Sequence, residues 1–268
     1  MRTELVSRPG DPARPNEDFA SVGVPACGQG GSVVVLDGVT PPSGGGGCLH
    51  SVPWFTARLG GALIELTVSV PDVPLVEALS LAVARTATAH AETCDLSHPR
   101  TPQATVAVAR WSAEAVEYLV LSDAVLLLAS PDGAVTPVLD DRLARLPREL
   151  LRSAAYVDGS LRNQEGGFFT AAADPAVAAR AVTGRVPRAE VGALAALTDG
   201  AARWTETFHQ GDWTDLFTLI RTRGLTTLVE HVRQLEQADN ATDGDVPGRV
   251  FLGNAKTHDD ATAVYVEL

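Results

Sequence analysis

The stretch "SVVVLDGVTPPSGGGG" at residues 32–47 sets a strongly apolar run directly against a charge and a glycine-rich segment. Three valines and a leucine in succession are typical of a strand that is buried on both faces. Asp37 and Gly38 follow this run at once. Because a buried, unpaired carboxylate is costly, Asp37 predicts a partner: the N-terminus of a helix, a buried Arg or Lys, or a metal ion.

Acidic residues border apolar runs at three further places in the chain. They are Glu17 and Asp18 before a short strand, Asp199 after an apolar run, and Asp259 and Asp260 before the last strand. If these strand ends converge, they form a group of carboxylates without cysteine, which suits hard cations such as Mg²⁺ or Mn²⁺. A single Asp-Gly pair is more often a simple turn, so this pattern does not identify an enzyme by itself.

The bulk composition limits the class of protein. The chain has 268 residues, 45% of them hydrophobic, with no repeat, long linker or break in composition, so we expect a single domain over 1–268. The net charge of −12 argues against a nucleic-acid or anionic-membrane surface. No secretory h-region and no apolar stretch of membrane-spanning length is visible. Three cysteines in a chain of this length favour a reducing, cytoplasmic location.

The hydrophobic pattern changes period along the chain. It predicts helices over 54–67, 74–93, 141–153, 175–183, 212–222 and 225–237. Strands are expected over 18–22 and 32–36, in four short runs between 103 and 139, before Asp199, and from about 261 onward. A glycine-rich part predicts a flap-like insertion at about 155–185, and 238–248 is predicted to be a loop. Clustered strands and paired helices favour an α+β fold with antiparallel sheets.

Five short motifs resemble, in order, those of the metal-dependent protein phosphatases, the PPM or type 2C family, in its bacterial form. They are "NEDFA" (16–20), "VVVLDGV" (33–39), "LSDAVLLL" (121–128), "ALTDG" (196–200) and "HDDATAVYV" (258–266). The corresponding family patterns are N-E-D, V-x-D-G, G-D-S, S-D-G and D-N/D-x-T/S, and "TPQATVAV" resembles the family's G-T/S-T-A strand. The resemblance extends from about residue 14 to the last residue. It implies a four-layer α-β-β-α sandwich of two antiparallel sheets flanked by helices.

The resemblance also implies a set of metal ligands. These ligands are Glu17, Asp37, Gly38, Asp123, Asp199 and Asp259. Asp37 would bridge two Mn²⁺ or Mg²⁺ ions, with the Gly38 carbonyl, Asp199 and Asp259 on the first ion and Glu17 on the second, through water. Asp123 would hold a third ion, and Asp18 would orient the network. The implied reaction is hydrolysis of phosphoserine or phosphothreonine esters by a hydroxide that bridges the two ions.

The chain departs from the family pattern at the residue that clamps the phosphate. Family members usually carry an arginine four positions before the glutamate of N-E-D, where this chain has Ala13. Arg14 lies one residue later and is the candidate, with Arg8 as the alternative, because a guanidinium binds phosphate in a bidentate manner. Asp37, Arg14 and Asp18 are therefore the candidate catalytic residues.

Two further departures concern the leaving group and the third ion. Val39 stands where many eukaryotic members have a histidine that protonates the leaving group, which leaves His258 as a candidate acid. Ser122-Asp123-Ala124 replaces G-D-S, and this change puts the third ion in question.

Two other functions remain open at this level, and one metal site is set aside. The substrate could instead be a small phosphorylated metabolite, or the chain could be a degenerate fold that binds a partner without turnover. A zinc site on Cys48, His50, Cys94 and His98 is not favoured, because structural zinc sites usually show tighter C-x-x-C pairs.

Overall fold

Within residues 1–41, 46–242 and 258–268, which the computed structural model describes, ten strands form two antiparallel five-stranded sheets. In chain order the strands are β1 (Thr3–Arg8), β2 (Phe19–Gly23), β3 (Gly31–Gly38), β4 (Ala104–Trp111), β5 (Ala115–Leu121), β6 (Val125–Ala129), β7 (Val135–Leu139), β8 (Val182–Pro187), β9 (Ala193–Leu197) and β10 (Ala261–Glu267). The first sheet has the order β1-β10-β9-β6-β7 and the second the order β2-β3-β4-β5-β8.

Helices cover the outer face of each sheet. They are α1 (Val52–Ser69), α2 (Leu75–Thr88), α3 (Arg148–Leu151), α4 (Ala154–Tyr156), α5 (Asp199–Glu206), α6 (Trp213–Arg223) and α7 (Leu225–Thr242), with a π-helix over Val157–Leu161 and 3₁₀ turns over Pro175–Arg180 and Arg188–Glu190. Helices α1 and α2 pack on the second sheet, and α5, α6 and α7 pack on the first. None of the helices in the described part combines the length and the apolar character needed to cross a bilayer.

Strand β3 shows how one run of sequence builds two cores. Val34 and Leu36 face α1 and α2, whereas Val33 and Val35 face the opposite sheet. Because successive side chains of a strand alternate between faces, both faces of β3 must be apolar, which explains the unbroken apolar run. The result is the predicted α-β-β-α sandwich with antiparallel sheets. Strand β10 lies between β1 and β9, so the last strand is an interior strand, as expected.

Several element boundaries differ from the sequence predictions. The predicted helix over 141–153 is mostly turns with only Arg148–Leu151 as an α-helix, and the predicted helix over 175–183 is a 3₁₀ turn followed by β8. Strands β1 and β8, both at sheet edges, were not predicted. Residues 182–185 of the predicted flap belong to β8, and residues 238–242 of the predicted loop belong to α7. Residues 243–248 of that loop, and 44–45 of the glycine run, lie outside the described residues.

Candidate active site

Asp37 lies between the two sheets at the end of β3. It shares the face of Val33 and Val35, which point toward the opposite sheet, because all three are odd-numbered residues of one strand. Its partner across the ladder is Thr105 on β4. Among the described residues, the buried Thr105 hydroxyl has no hydrogen-bond partner. The end of β3 therefore places the Asp37 carboxylate in a protein-enclosed space next to a hydroxyl that does not bond to it.

Asp199 reaches the same place from the other sheet. It is the first residue of α5, directly after β9 and Thr198. The carboxyls of Asp37 and Asp199 lie within hydrogen-bonding reach of each other. Within the described part of the chain, the Oδ1 atom of Asp199 is buried without a hydrogen-bond partner. The two Asp-Gly pairs thus meet across the edge of the sandwich.

The glycines of these two pairs allow close approach rather than a left-handed turn, since neither has a positive φ. A Cβ atom on Gly38 would lie 2.4 Å from the carbonyl oxygen of Glu17, and one on Gly200 would lie 2.0 Å from that of Asp260. Each glycine therefore lets another acid-bearing segment pack directly against the end of a strand.

Asp18 and Asp260 hold the segments in place. Asp18 accepts a hydrogen bond from the Thr198 hydroxyl at 3.2 Å and is also bonded by the Thr262 side chain, while its Oδ1 is buried without a partner. Asp260 accepts the backbone N–H groups of Gly10 at 2.8 Å and Glu17 at 2.7 Å. Asp260 therefore fixes the chain on both sides of residues 11–16, and Asp18 joins β2 to the other sheet.

The four carboxyls of Asp18, Asp37, Asp123 and Asp199 destabilise one another's charged forms. Loss of solvation is the main cause in each case. It raises the pKa of Asp18 to about 8 and that of Asp199 to about 7, and it raises the pKa of Asp37 well above its usual value. The neighbouring carboxylates, Asp259 among them, add to each shift. The pKa of Asp123 is raised as well. Bound cations would relieve such mutual repulsion.

A cleft of about 290 Å³ opens beside these acids. It is lined by residues of the 10–17 loop, by Thr40 and by the 258–260 segment, so Arg14, Glu17, His258 and Asp259 share it. Glu17 accepts a hydrogen bond from the Thr40 hydroxyl. Arg14 is exposed at this cleft, whereas Arg8, at the end of β1, is not part of its lining. The position of Arg14 favours it over Arg8 as the residue that could meet a phosphate.

Asp123 lies in the turn between β5 and β6, where two features were not predicted. Ser122, which stands at the glycine of the family pattern, has a φ of 66° and donates its N–H to Asp140 at 2.9 Å. Burial lowers the pKa of Arg162, and the nearby carboxylates of Asp158 and Asp123 partly oppose this shift. A buried arginine therefore shares the surroundings of Asp123. Glu206, at the end of α5, is also near, and its pKa is raised by partial loss of solvation and then by Asp123 and Asp199.

A charged network behind Asp259 was also missed by the sequence reasoning. Glu236 of α7 is 2% exposed and accepts hydrogen bonds from Arg203, from Arg233 at 2.7 Å and from His258 at 2.8 Å if the imidazole carries a proton on Nδ1. Arg203 is 3.6 Å from the Asp259 carboxylate, and Arg233 donates to the Asp259 carbonyl at 2.6 Å. The sequence does indicate that Glu236 is buried, because position 236 continues the helical spacing of the buried residues Leu225, Val229 and Val232 of α7.

Comparison with known proteins identifies the fold. No family model matches this sequence, and no curated protein matches it. Among solved structures, the serine/threonine phosphatase of Mycobacterium tuberculosis is 16% identical with a TM-score of 0.60, covering 100% of this chain and 98% of that one. The serine/threonine phosphatase of Staphylococcus aureus is 12% identical (TM-score 0.58, 100% and 95% covered), and serine-threonine phosphatase 2C of Toxoplasma gondii is 14% identical (TM-score 0.61, 99% and 94% covered).

These matches extend over the whole chain at low identity. The chain therefore has the fold of type 2C serine/threonine phosphatases, and the resemblance read from the motifs is confirmed at the level of the fold. A fold carries many activities, so the activity has to be argued from the site.

Gly200→Ala tests the close packing at the site. We expect a loss of about 1–3 kcal/mol in the free energy of unfolding, because the new methyl group meets the Asp260 backbone. The matched control is Gly61→Ala, since Gly61 lies inside α1 with open space around its Cβ position. This control should raise the free energy of unfolding by about 0.5–1 kcal/mol. Urea denaturation measures both, and equal effects of the two variants would contradict the packing argument.

The raised carboxyl pKa values predict how the chelated protein responds to pH. Asp18 and Asp199 bind their protons more tightly in the folded state than in the unfolded chain. The stability that this proton binding contributes is therefore fully present below about pH 4, and it is lost as the pH rises through about 7–8. Asp199→Asn should therefore be more stable than the wild type at pH 8, by about 2–4 kcal/mol, and show little difference at pH 4 and below. Urea denaturation in EDTA across this range measures the difference. A difference that does not vary with pH would contradict the prediction.

Proposed function

We propose that the protein is a metal-dependent phosphomonoester hydrolase that acts on phosphoserine or phosphothreonine. The observation that carries this proposal is the meeting of Asp37, at the end of β3, with Asp199, directly after β9 of the other sheet, where one buried oxygen of Asp199 has no hydrogen-bond partner among the described residues. The site lies beside an open cleft in a fold shared with serine/threonine phosphatases. We retain a cytoplasmic location, in keeping with the three cysteines, all of them free.

The donor set fits divalent, oxygen-preferring cations. Unpartnered buried oxygens of Asp18 and Asp199, and carboxyls that raise one another's pKa, are both features that a cation would relieve. The central side chains of the site are carboxylates and not thiols or imidazoles. This donor set favours Mg²⁺ or Mn²⁺ over zinc or copper. The proposed ligands are Glu17, Asp37, the Gly38 carbonyl, Asp199 and Asp259, with Asp123 for a third ion.

Each residue of the site would have a separate role in the hydrolysis. When bound, the cations supply an activated water and charge compensation for the phosphoryl oxygens. Asp37 would hold the cations, and Asp18, fixed by Thr198 and Thr262, would orient the carboxylates around them. Arg14 would bind the phosphate from the rim of the cleft. His258, which lines the same cleft and contacts Glu236, would protonate the leaving oxygen.

One assay tests the activity and a second tests the substrate class. Hydrolysis of p-nitrophenyl phosphate should require added Mn²⁺ or Mg²⁺ and stop in EDTA. Phosphoserine and phosphothreonine peptides should then be turned over with a higher kcat/KM than sugar phosphates. A preference for sugar phosphates would favour the alternative, a phosphatase of a small metabolite. Turnover that survives exhaustive chelation would rule out the metal-dependent reaction.

A degenerate binding module is the second candidate, and the ion pair between Arg203 and Asp259 favours it. A guanidinium 3.6 Å from a proposed ligand competes with a cation for that carboxylate. Calorimetric titration with Mn²⁺ separates the two candidates. Tight binding with turnover supports the enzyme, whereas the absence of binding and of turnover supports the module.

A further inference from the structure

Two cysteines and two histidines outside the acid cluster converge at one end of α1 and α2. Cys48 and His50 lie in the connection between β3 and α1, just before the N-cap Ser51. His90 and Cys94 lie four positions apart on the turn that follows α2, where the Cys94 N–H donates to the His90 carbonyl at 3.0 Å. One ligand atom from each side chain lies within 4.8 Å of every other.

The individual distances resemble the edges of a tetrahedral site. Sγ of Cys48 is 3.3 Å from Nδ1 of His90 and 3.7 Å from Nδ1 of His50, and Sγ of Cys94 is 3.4 Å from Nδ1 of His50. With Zn–S bonds of about 2.3 Å and Zn–N bonds of about 2.0 Å, a tetrahedron has S···N edges of about 3.5 Å. The two sulfurs, 2.8 Å apart, would have to separate by about 1 Å to reach the S···S edge.

We propose that Cys48, His50, His90 and Cys94 form a structural Zn²⁺ site that joins the β3–α1 connection to the turn after α2. Two thiolates and two imidazoles are a common closed ligand set for structural zinc. The spacing is C-x-H followed by H-x₃-C, so His90 takes the place of His98 in the set considered from the sequence. Zinc was not favoured from the sequence because C-x-x-C pairs are missing, and the proposed site does not use such pairs.

The surroundings of the four side chains support a site built to hold a metal. The N–H groups of Leu49 and His50 point at Sγ of Cys94 and Cys48, each at 3.4 Å, and such bonds stabilise thiolate ligands. The His50 ring stacks on Trp54 at 3.9 Å between centroids, and His90 lies against the same indole at 5.3 Å. His90 is 2% exposed and its only described polar side-chain contact is with Cys48.

The backbone around the cluster also joins the two segments. The Asp95 N–H donates to the Gly47 carbonyl at 2.7 Å, and Gly47 has a φ of 68°, which favours glycine. The β3–α1 connection begins at Val39 and Thr40, and Thr40 donates to Glu17 of the candidate active site. A zinc ion here would restrict the far end of a connection whose near end borders the cleft.

Metal analysis of the purified full-length chain tests the site. We expect one zinc per chain, released by a mercurial reagent, with Cys48 and Cys94 protected from Ellman's reagent and Cys27, which is exposed, reacting at once. Co²⁺ in place of zinc should give thiolate-to-cobalt charge-transfer absorption, which the carboxylates of the active site cannot produce. Removal of the zinc should lower the melting temperature by about 5–10 °C.

Variants assign the ligands and separate this site from the acid cluster. Cys48→Ser, Cys94→Ser and His90→Gln should lose the zinc, whereas Cys27→Ser and His98→Gln should keep it, as should Asp37→Asn. If a variant fails to fold, the cobalt spectrum and the thiol count of the wild type decide alone. Three results would overturn the proposal: three equally reactive thiols with no zinc released, a cobalt spectrum without charge transfer, or a Cys48–Cys94 disulfide in place of bound metal.

Discussion

Asp37→Asn should reduce phosphatase turnover by about a thousandfold or more, while the fold stays intact. Asparagine keeps the size of the side chain but removes the charge that would hold two cations between the sheets. The same change removes one of the mutually repelling carboxylates around Asp199, so the chelated protein should be as stable as the wild type or more stable at pH 8. Steady-state kinetics at saturating Mn²⁺, with urea denaturation in EDTA, measure both effects.

Asp132→Asn is the matched control for this prediction. Asp132 also precedes a glycine, but it lies in the exposed turn between β6 and β7, where Gly133 has a φ of 94°. Its substitution should leave turnover within about twofold of the wild type, because surface changes have small effects. If Asp37→Asn were as active as Asp132→Asn, the Asp-Gly pair at the end of β3 would be only a turn.

Glu236→Gln should be the most destabilising single change, lowering the free energy of unfolding by about 3–5 kcal/mol. Glutamine keeps the shape, but it removes the negative charge that the buried guanidinium of Arg203 contacts at Glu236. Arg203 and Arg233 both contact Asp259, so we also expect weaker Mn²⁺ binding. Urea denaturation and calorimetry measure the two effects separately.

Glu230→Gln, an exposed change on the same helix, should alter the free energy of unfolding by less than about 0.5 kcal/mol. A similar loss in both variants would mean that helix charge, and not the buried network, determines the effect. An unchanged Mn²⁺ affinity in Glu236→Gln would mean that the charged network around Glu236 does not influence metal binding at the candidate active site.

The central strands and the acids at their ends could be predicted from the sequence, because burial on both faces leaves a continuous apolar run. Strand β3 is the clearest case, since all four residues from Val33 to Leu36 are fully buried. The edge strands β1 and β8 carry no such signal. In β8, alternate residues face solvent and the run contains Gly184 and Pro187, so it resembles a loop.

The prediction of one helix over 141–153 was wrong because a proline lies within the segment. Its leucines, Leu143, Leu146, Leu150 and Leu151, pack on a small local cluster with Val157, Leu161 and Phe168. The spacing of the leucines does place them on one buried side. Pro147, in the middle of the segment, interrupts the helix, and only the short helix α3 follows it.

Contacts between distant side chains were beyond the reach of sequence patterns. Arg203 and Glu236 belong to different helices, and no local spacing relates them. In the same way, His90 and His98 lie equally close to Cys94 in sequence, four residues on either side. Only the direction of the turn after α2 places His90, and not His98, against Cys48.

The position of β10 in the middle of its sheet has a consequence for how the protein is made. Ribosomes deliver β10 after the other nine described strands, yet it must enter between β1 and β9. Until then β1 has no partner, and Asp260 cannot bind the Glu17 N–H, 243 positions earlier. A nascent chain that still lacks β10 therefore has one sheet in two pieces and no cleft. The proposed catalysis would therefore begin only when synthesis has passed the last strand.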